Sequence, residues 1–283
     1  MKKALCIILC CILSVSLFSS CEKGEGVPFL TTKSSTTTVK NTVTVTFPEG
    51  FTIMQIAERL EENNVCSKDA FLKVCNEPYE GIEIANPEER IFLLEGYVFA
   101  DTYEFYFNSD AKAVLKKFID NFNKKVTPEI RAKAEALGYT LDEMITLASI
   151  IQMECDKDIA ECSNVSSVFH NRLKSPSFPK LQSDVTTFYI TQKLGDYLGY
   201  QKDVKLAEQN DNIQRYIDLY STYYCNGLPV GPICSPSLKA ITAAVSPADT
   251  DYVYFLTDAS GEDFYYASTL AQHNKNGKEA GLF

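Results

Sequence analysis

The sequence predicts an α+β protein, a small α+β module followed by a larger α+β domain, on three observations. Val43, Val45 and Phe47 alternate with polar residues as a half-buried strand does, and after the Pro48-Glu49-Gly50 turn Ile53, Ile56, Ala57 and Leu60 mark one face of a helix. Further on, Leu147, Ile150, Ile151 and Glu154 fall at i, i+3, i+4 and i+7 behind Thr140 and Glu143, which are spaced as a capping box. Near the end, DYVYFLTD and EDFYYAS flank Ser260-Gly261 as the two arms of a β-hairpin.

Ahead of these elements, Lys2 and Lys3 precede an apolar stretch from Ala4 to Phe18, the layout of a secretory signal and short for a membrane span. The stretch ends Leu17-Phe18-Ser19-Ser20-Cys21, similar to a bacterial lipoprotein signal in which Cys21 becomes the lipidated first residue. The competing reading is an uncleaved N-terminal anchor; both put the chain at the outer face of a membrane. Residues 1–21 are therefore expected to be a signal or anchor, and residues 22–41, rich in Ser, Thr, Gly and Lys, a flexible tether.

The 283 residues are 45% hydrophobic, enough to bury substantial cores, and carry a formal net charge of −10. Removing residues 1–20 takes two of the 27 basic residues against 37 acidic ones and leaves −12. No cluster of Lys and Arg is present to neutralise phosphates, which excludes a nucleic-acid partner. Of the ten cysteines, Cys6, Cys10 and Cys11 lie in the apolar segment. Setting Cys21 aside too leaves three close couples: Cys66 with Cys75, Cys155 with Cys162, and Cys225 with Cys234. An exported protein permits local disulfides, and reduced buried thiols are the alternative. No CxxC or HExxH spacing occurs and only His170 and His273 are available, so neither a metal nor a cofactor is expected.

Ser67 can cap a second helix carrying Ala70, Phe71 and Val74, and a return strand would close the first module. Tyr97, Phe99, Tyr103, Phe105 and Tyr106 cluster within 94–107, either as sheet packing or as platforms for sugar rings. Helical patterns at 111–124 and 128–137 lead to Gly138, a helix C-cap that divides residues 42–137 from 138–283. In the second part Val165, Val168, Phe169 and Arg172 share a helix face that stops before Pro176 and Pro179. Residues 194–219 are polar and carry no motif, as a flap or groove wall would. Ser235-Pro236 reads as the N-cap and N1 of a helix from Leu238 to Val245.

Glu154 is the chemical candidate. A carboxylate set in an apolar stripe is desolvated, which raises its pKa and keeps it protonated near neutrality, ready to act as a general acid. Its structural reading is a helix-end glutamate paired or turned to solvent. A cysteine hydrolase on Cys155 or Cys225 with His170 or His273 has no nucleophile motif to support it.

Five segments in order, ASIIQME (148–154), SSVFHNRL (166–173), LQSDVTTFY (181–189), STYYCNGLPVGPICSPSLKAI (221–241) and YVYFLTD (252–258) with STLAQHN (268–274), resemble the catalytic domain of the endolytic murein transglycosylases. FPEGFTIMQIAERL and LEGYVFADTYEF extend the likeness into the N-terminal half. These are membrane-anchored enzymes that cut within peptidoglycan glycan strands. The resemblance implies a LysM-like module over 43–80 that contacts glycan, and Glu154 as the catalytic acid. It further implies Gln182, Ser183 and Asp184 orienting the acetamido sugar or the acid, Tyr223 against the sugar chain, and Asn171 beside Arg172 in the NRL motif. Peptidoglycan strands are the implied substrate, synthases at the membrane the implied partners, and no cofactor is implied. Departures from the family pattern are Ala100 for proline, Gln152 for glutamate, Val185 for proline, Ser221 for asparagine and Phe264 for histidine; His273 is retained, as a structural contact. A single acid suffices when the C6 hydroxyl of the muramic acid is itself the nucleophile. The alternatives are a hydrolytic muramidase pairing Glu154 with Asp184, and a non-catalytic peptidoglycan-binding scaffold.

Overall fold

A computed structural model describes residues 41–282; the signal, Cys21 and nearly all of the tether lie outside the described residues. Strand β1 (Thr42–Thr46) is followed by α1 (Ile53–Glu62), α2 (Lys68–Cys75) and β2 (Thr102–Tyr106). The two strands pair antiparallel with Val45 opposite Tyr103, giving the expected strand–helix–helix–strand order. The capping box that starts α1 is Thr52 with Gln55, and Ile53, Ile56, Ala57 and Leu60 are buried as the spacing requires. Ser67 caps α2, but its buried face is Phe71, Leu72, Val74 and Cys75, with Ala70 exposed to solvent.

Between α2 and β2 the run 91–100 is buried throughout without being a strand, so Tyr97 and Phe99 are packed loop residues and the sheet begins only at Thr102. Its backbone donors find partners elsewhere: Ile91 N–H donates to the Tyr220 hydroxyl (3.4 Å), Leu93 N–H to Asn76 Oδ1 (2.9 Å) and Leu94 N–H to Cys75 O (3.1 Å). Gly96 is required here. Its φ is +86°, and a Cβ would sit 2.6 Å from the Pro232 ring.

Helices α3 (Ala111–Lys125) and α4 (Pro128–Ala136) precede Gly138, whose φ of +83° closes α4. Gly138 N–H reaches Glu135 O (2.9 Å) and Tyr139 N–H reaches Ala134 O (3.1 Å), the paired bonds of a Schellman cap. Then come α5 (Leu141–Glu154), started by the Thr140–Glu143 capping box, and α6 (Ile159–Lys174). A short α7 (Asp184–Phe188) runs into a π-helical turn over Tyr189–Lys193 and α8 (Gly195–Leu198). Within the motif-free stretch 194–219, expected as a flap or groove wall, α9 (Asp211–Tyr220) begins, and it buries Ile213, Ile217 and Tyr220 in the core.

Helix α10 (Leu238–Ala244) is capped by Ser237, whose hydroxyl accepts Ala240 N–H. The expected cap, Ser235, instead donates its hydroxyl to Val98 O (2.7 Å) and pairs its backbone with the Gly50–Phe51 turn. The last elements are β3 (Tyr254–Thr257) and β4 (Phe264–Ala267), an antiparallel hairpin, and α11 (Leu270–Glu279). One of the three cysteine couples, Cys155 with Cys162, is bridged; Cys66, Cys75, Cys225 and Cys234 are free thiols. Among the described residues no helix is long and apolar enough to cross a membrane.

Helix α5 is the hub. It packs against α4, α6, α7 and α10, and every residue from Met144 to Ile151 is buried. Its N-terminal turn is fixed by Asp142, which pairs with the buried Arg90 guanidinium and accepts the Tyr97 hydroxyl (2.7 Å). Removing one partner leaves a buried charge uncompensated. Asp142→Ala is expected to cost about 3–5 kcal/mol, read as a lower urea midpoint at unchanged slope.

Candidate active site

Glu154 is the last residue of α5, where the buried helix emerges into a cleft of about 270 Å³. The cleft is walled by Gln182, Ser183 and Asp184 on one side and by Phe255, Leu256 and Thr257 of the hairpin on the other. Ser183 donates its hydroxyl to Glu154 Oε1 at 2.6 Å. The Glu154 carboxyl is pushed above the usual carboxylate range chiefly by desolvation; the Ser183 bond opposes this, the Asp184 charge adds to it, and Arg172 draws it back. A single half-buried acid with one hydrogen bond and a raised pKa can donate a proton and, as a carboxylate, recover one.

The surrounding residues hold this geometry. Gln182 is exposed at φ +55°, a left-handed conformation uncommon for a side-chain-bearing residue. Asp184 is exposed as the first residue of α7 and lies near the Tyr223 hydroxyl, whose pKa is pushed up to about 12 by burial and then by Asp184. Asn171 spends its side-chain amide on Thr250 O and Tyr252 O (2.9 Å each), fixing the segment that leads into the hairpin. Arg172 continues the fixation, donating to Val253 O and Leu181 O (2.6 Å each) from beneath the cleft. The structure therefore brings Glu154, Gln182, Ser183 and Asp184 together, sets Tyr223 beside Asp184, and turns the Asn171 amide to the chain at 250–252.

The departures from the family pattern have identifiable places. Gln152 Oε1 accepts the Ser237 N–H (2.9 Å) at the start of α10. The Ser221 hydroxyl meets Thr187 Oγ1 (2.7 Å). Phe264 stacks with Phe255 (6.5 Å between centroids), while His273 stacks on Tyr254 (5.0 Å). The disulfide removes Cys155 as a nucleophile, and burial pushes the Cys225 thiol up to about 11, the opposite of activation. Among the described residues no group of three or more His, Cys, Asp or Glu is placed to hold a metal ion.

The sequence pattern of the YceG-like family matches residues 27–279. The chain belongs to the YceG-like family. It is 28% identical over 251 residues to an endolytic murein transglycosylase of Streptococcus pneumoniae (strain D39), covering 82% of this chain and 44% of that protein. It is 32% identical over 183 residues to an endolytic murein transglycosylase of Bacillus subtilis (strain 168), covering 64% of this chain and 46% of the relative. This YceG-like chain thus spans less than half the length of the curated relatives it matches. Its fold is similar to the crystal structure of a yceG-like protein from Listeria monocytogenes, with a TM-score of 0.61, 25% identity, and coverage of 82% of this chain and 75% of that one.

Sequence reasoning passed over a second buried acid. Glu95 is fully buried; its carboxyl accepts Ile53 N–H at the start of α1 (3.0 and 3.2 Å) and the Tyr189 hydroxyl (3.1 Å). Its signal was present, a lone charge inside the apolar run 91–100. Burial raises its pKa from 4.5 to about 8 despite those donors. Because the folded state holds this proton more tightly than the unfolded chain, the stabilisation is complete below pH 4.5 and fades as pH rises through about 8. Glu95→Gln, which keeps an acceptor for both donors, is expected to flatten the fall in urea midpoint between pH 5 and pH 8.5.

Proposed function

We propose that this protein is an endolytic peptidoglycan lytic transglycosylase that cleaves the MurNAc–GlcNAc β-1,4 bond within nascent strands and leaves 1,6-anhydro-MurNAc ends. The observation that carries the reading is the Glu154 carboxyl, raised by desolvation at the mouth of an open cleft and bonded by Ser183. The relatives named endolytic murein transglycosylase supply the substrate class.

In the reaction, protonated Glu154 gives its proton to the glycosidic oxygen as the bond from that oxygen to C1 of the muramic acid breaks. The C6 hydroxyl of the same sugar attacks C1 and closes the anhydro ring, and the Glu154 carboxylate takes the hydroxyl proton. Atoms balance without water, and the acid is regenerated. In this proposal Ser183 steadies the carboxylate stage, and Asp184 and Tyr223 meet the acetamido or hydroxyl groups of the bound sugar.

Residues 42–137 comprise in this proposal the glycan-holding LysM-like module and its connecting region, and residues 138–283 the catalytic part. Residues 1–21 hold the enzyme at the outer membrane face, through a lipid on Cys21 or as an uncleaved anchor, where it trims strands as synthases extend them.

The full chain in detergent, incubated with uncrosslinked glycan strands, is expected to release ends lighter by one water than hydrolysed ends. Glu154→Gln should reduce that release by at least about 10²-fold while glycan co-sedimentation persists. Hydrated ends would make the enzyme a muramidase that recruits Asp184, and binding without cleavage would make it a scaffold.

A further inference from the structure

We propose that Thr222 is a positioning residue for Glu154, acting through Ser183; this deepens the transglycosylase reading and rests on Glu154 being its acid. Thr222 is fully buried and lies 39 positions from Ser183 in the chain, yet the two are bound at several atoms. Ser183 N–H donates to Thr222 Oγ1 (2.9 Å), and Gln182 N–H donates to Thr222 O (3.1 Å). Thr186 completes a ring. Its hydroxyl donates to Ser183 O (2.7 Å), accepts Thr222 N–H (3.0 Å) and stands 3.1 Å from Thr222 Oγ1.

The proton inventory closes around this ring. Thr186 gives its hydroxyl proton to Ser183 O, and the Thr222 hydroxyl, 3.3 Å from the same carbonyl and 3.1 Å from Thr186 Oγ1, directs its single proton to that side, so its lone pairs remain for Ser183 N–H. Ser183 then has its backbone N–H and C=O both engaged, and its hydroxyl alone is left for Glu154 Oε1 at 2.6 Å. The corner needs this restraint because Gln182 beside it is held at φ +55°, a conformation that persists where surrounding bonds over-determine it. A valine at 222 matches threonine in size and removes the hydroxyl, leaving a buried Ser183 N–H unpaired and the corner free to relax.

The ring therefore sets where the Ser183 hydroxyl points. A bystander in the core would lower stability alone, whereas a residue working through Ser183 alters the titration of Glu154 and loses its effect once that hydroxyl is gone.

The test compares wild type, Thr222→Val, Thr222→Ser, Ser183→Ala and the Ser183→Ala/Thr222→Val double variant, as full chains in detergent. Anhydro-end release and the ¹³C carboxyl titration of Glu154 are read in each. Thr222→Val is expected to lower kcat roughly tenfold at unchanged KM, the equivalent of one lost buried hydrogen bond. It should also raise the Glu154 titration point in the same direction as Ser183→Ala. Thr222→Ser keeps the hydroxyl and should restore both. The double variant should be no worse than Ser183→Ala alone. Thr186→Val keeps Ser183 N–H paired and should give the same signs more weakly, so it carries the test if Thr222→Val does not fold. An unmoved Glu154 titration in the valine variants, or additive losses in the double variant, would overturn the positioning role and leave the transglycosylase reading intact. Absence of cleavage by wild type would sink that reading, and the titration would still decide the ring.

Discussion

The burial of α5 is the constraint on which the rest of the molecule depends. A helix buried from Met144 to Ile151 cannot slide or rotate without opening contacts with α4, α6, α7 and α10 together. Both ends are also tied: Asp142 to Arg90 and Tyr97 at the first turn, and the Cys155–Cys162 bridge to α6 immediately after the last. Glu154 is the last residue of this rigid rod, so its position is inherited from the core.

That placement sets two opposing influences on one carboxyl. Desolvation by the packed end of the helix holds the proton on, and the Ser183 hydroxyl favours its loss. A group required to give a proton and then take one back works best when neither state is overwhelmingly preferred. The apolar surroundings alone would leave a strong reluctance to ionise. Strong ion pairing would abolish the acid; Arg172, the nearby cation, is instead committed to the Val253 and Leu181 carbonyls. The α6 guanidinium thus braces the cleft and contributes only its charge to Glu154.

What could be read in the sequence was what local spacing dictates. The Thr140–Glu143 cap, the stripe ending at Glu154 and the Gly138 stop all depend on neighbours within a turn or two, and each stands in the structure as spaced. Ser235-Pro236-Ser237 offered two possible caps, and the choice fell to Ser237 because Ser235 is claimed by Val98, 137 positions away. The cysteine couples were likewise equivalent in sequence, and only the meeting of α5 and α6 distinguished Cys155 and Cys162. Glu95 was legible by the reasoning that selected Glu154, a charge in an apolar run, but its segment has no helical or strand period to draw attention to it. Thr186 and Thr222 carried no signal, since ordinary threonines gain a role only when a return of the chain brings them together.

In the proposed reaction, the surroundings of Asp184 bear on why one acid would be enough. A second carboxylate acting as base would have to hold a water against the sugar, whereas Asp184 stands exposed at the cleft margin near the Tyr223 hydroxyl. Attack by the substrate's own hydroxyl needs no such water; it needs the sugar held so that C6 and C1 approach one another while bulk solvent is kept aside. The walls suit that demand. Phe255 and Leu256 offer apolar surface on the hairpin side, backed by Phe169 and Phe264, while the polar groups gather on the 182–184 side. A sugar ring lying between an apolar wall and a polar one is fixed in orientation by both faces. On the proposed reading, the cleft thus serves to order one substrate tightly and not to stage a separate nucleophile.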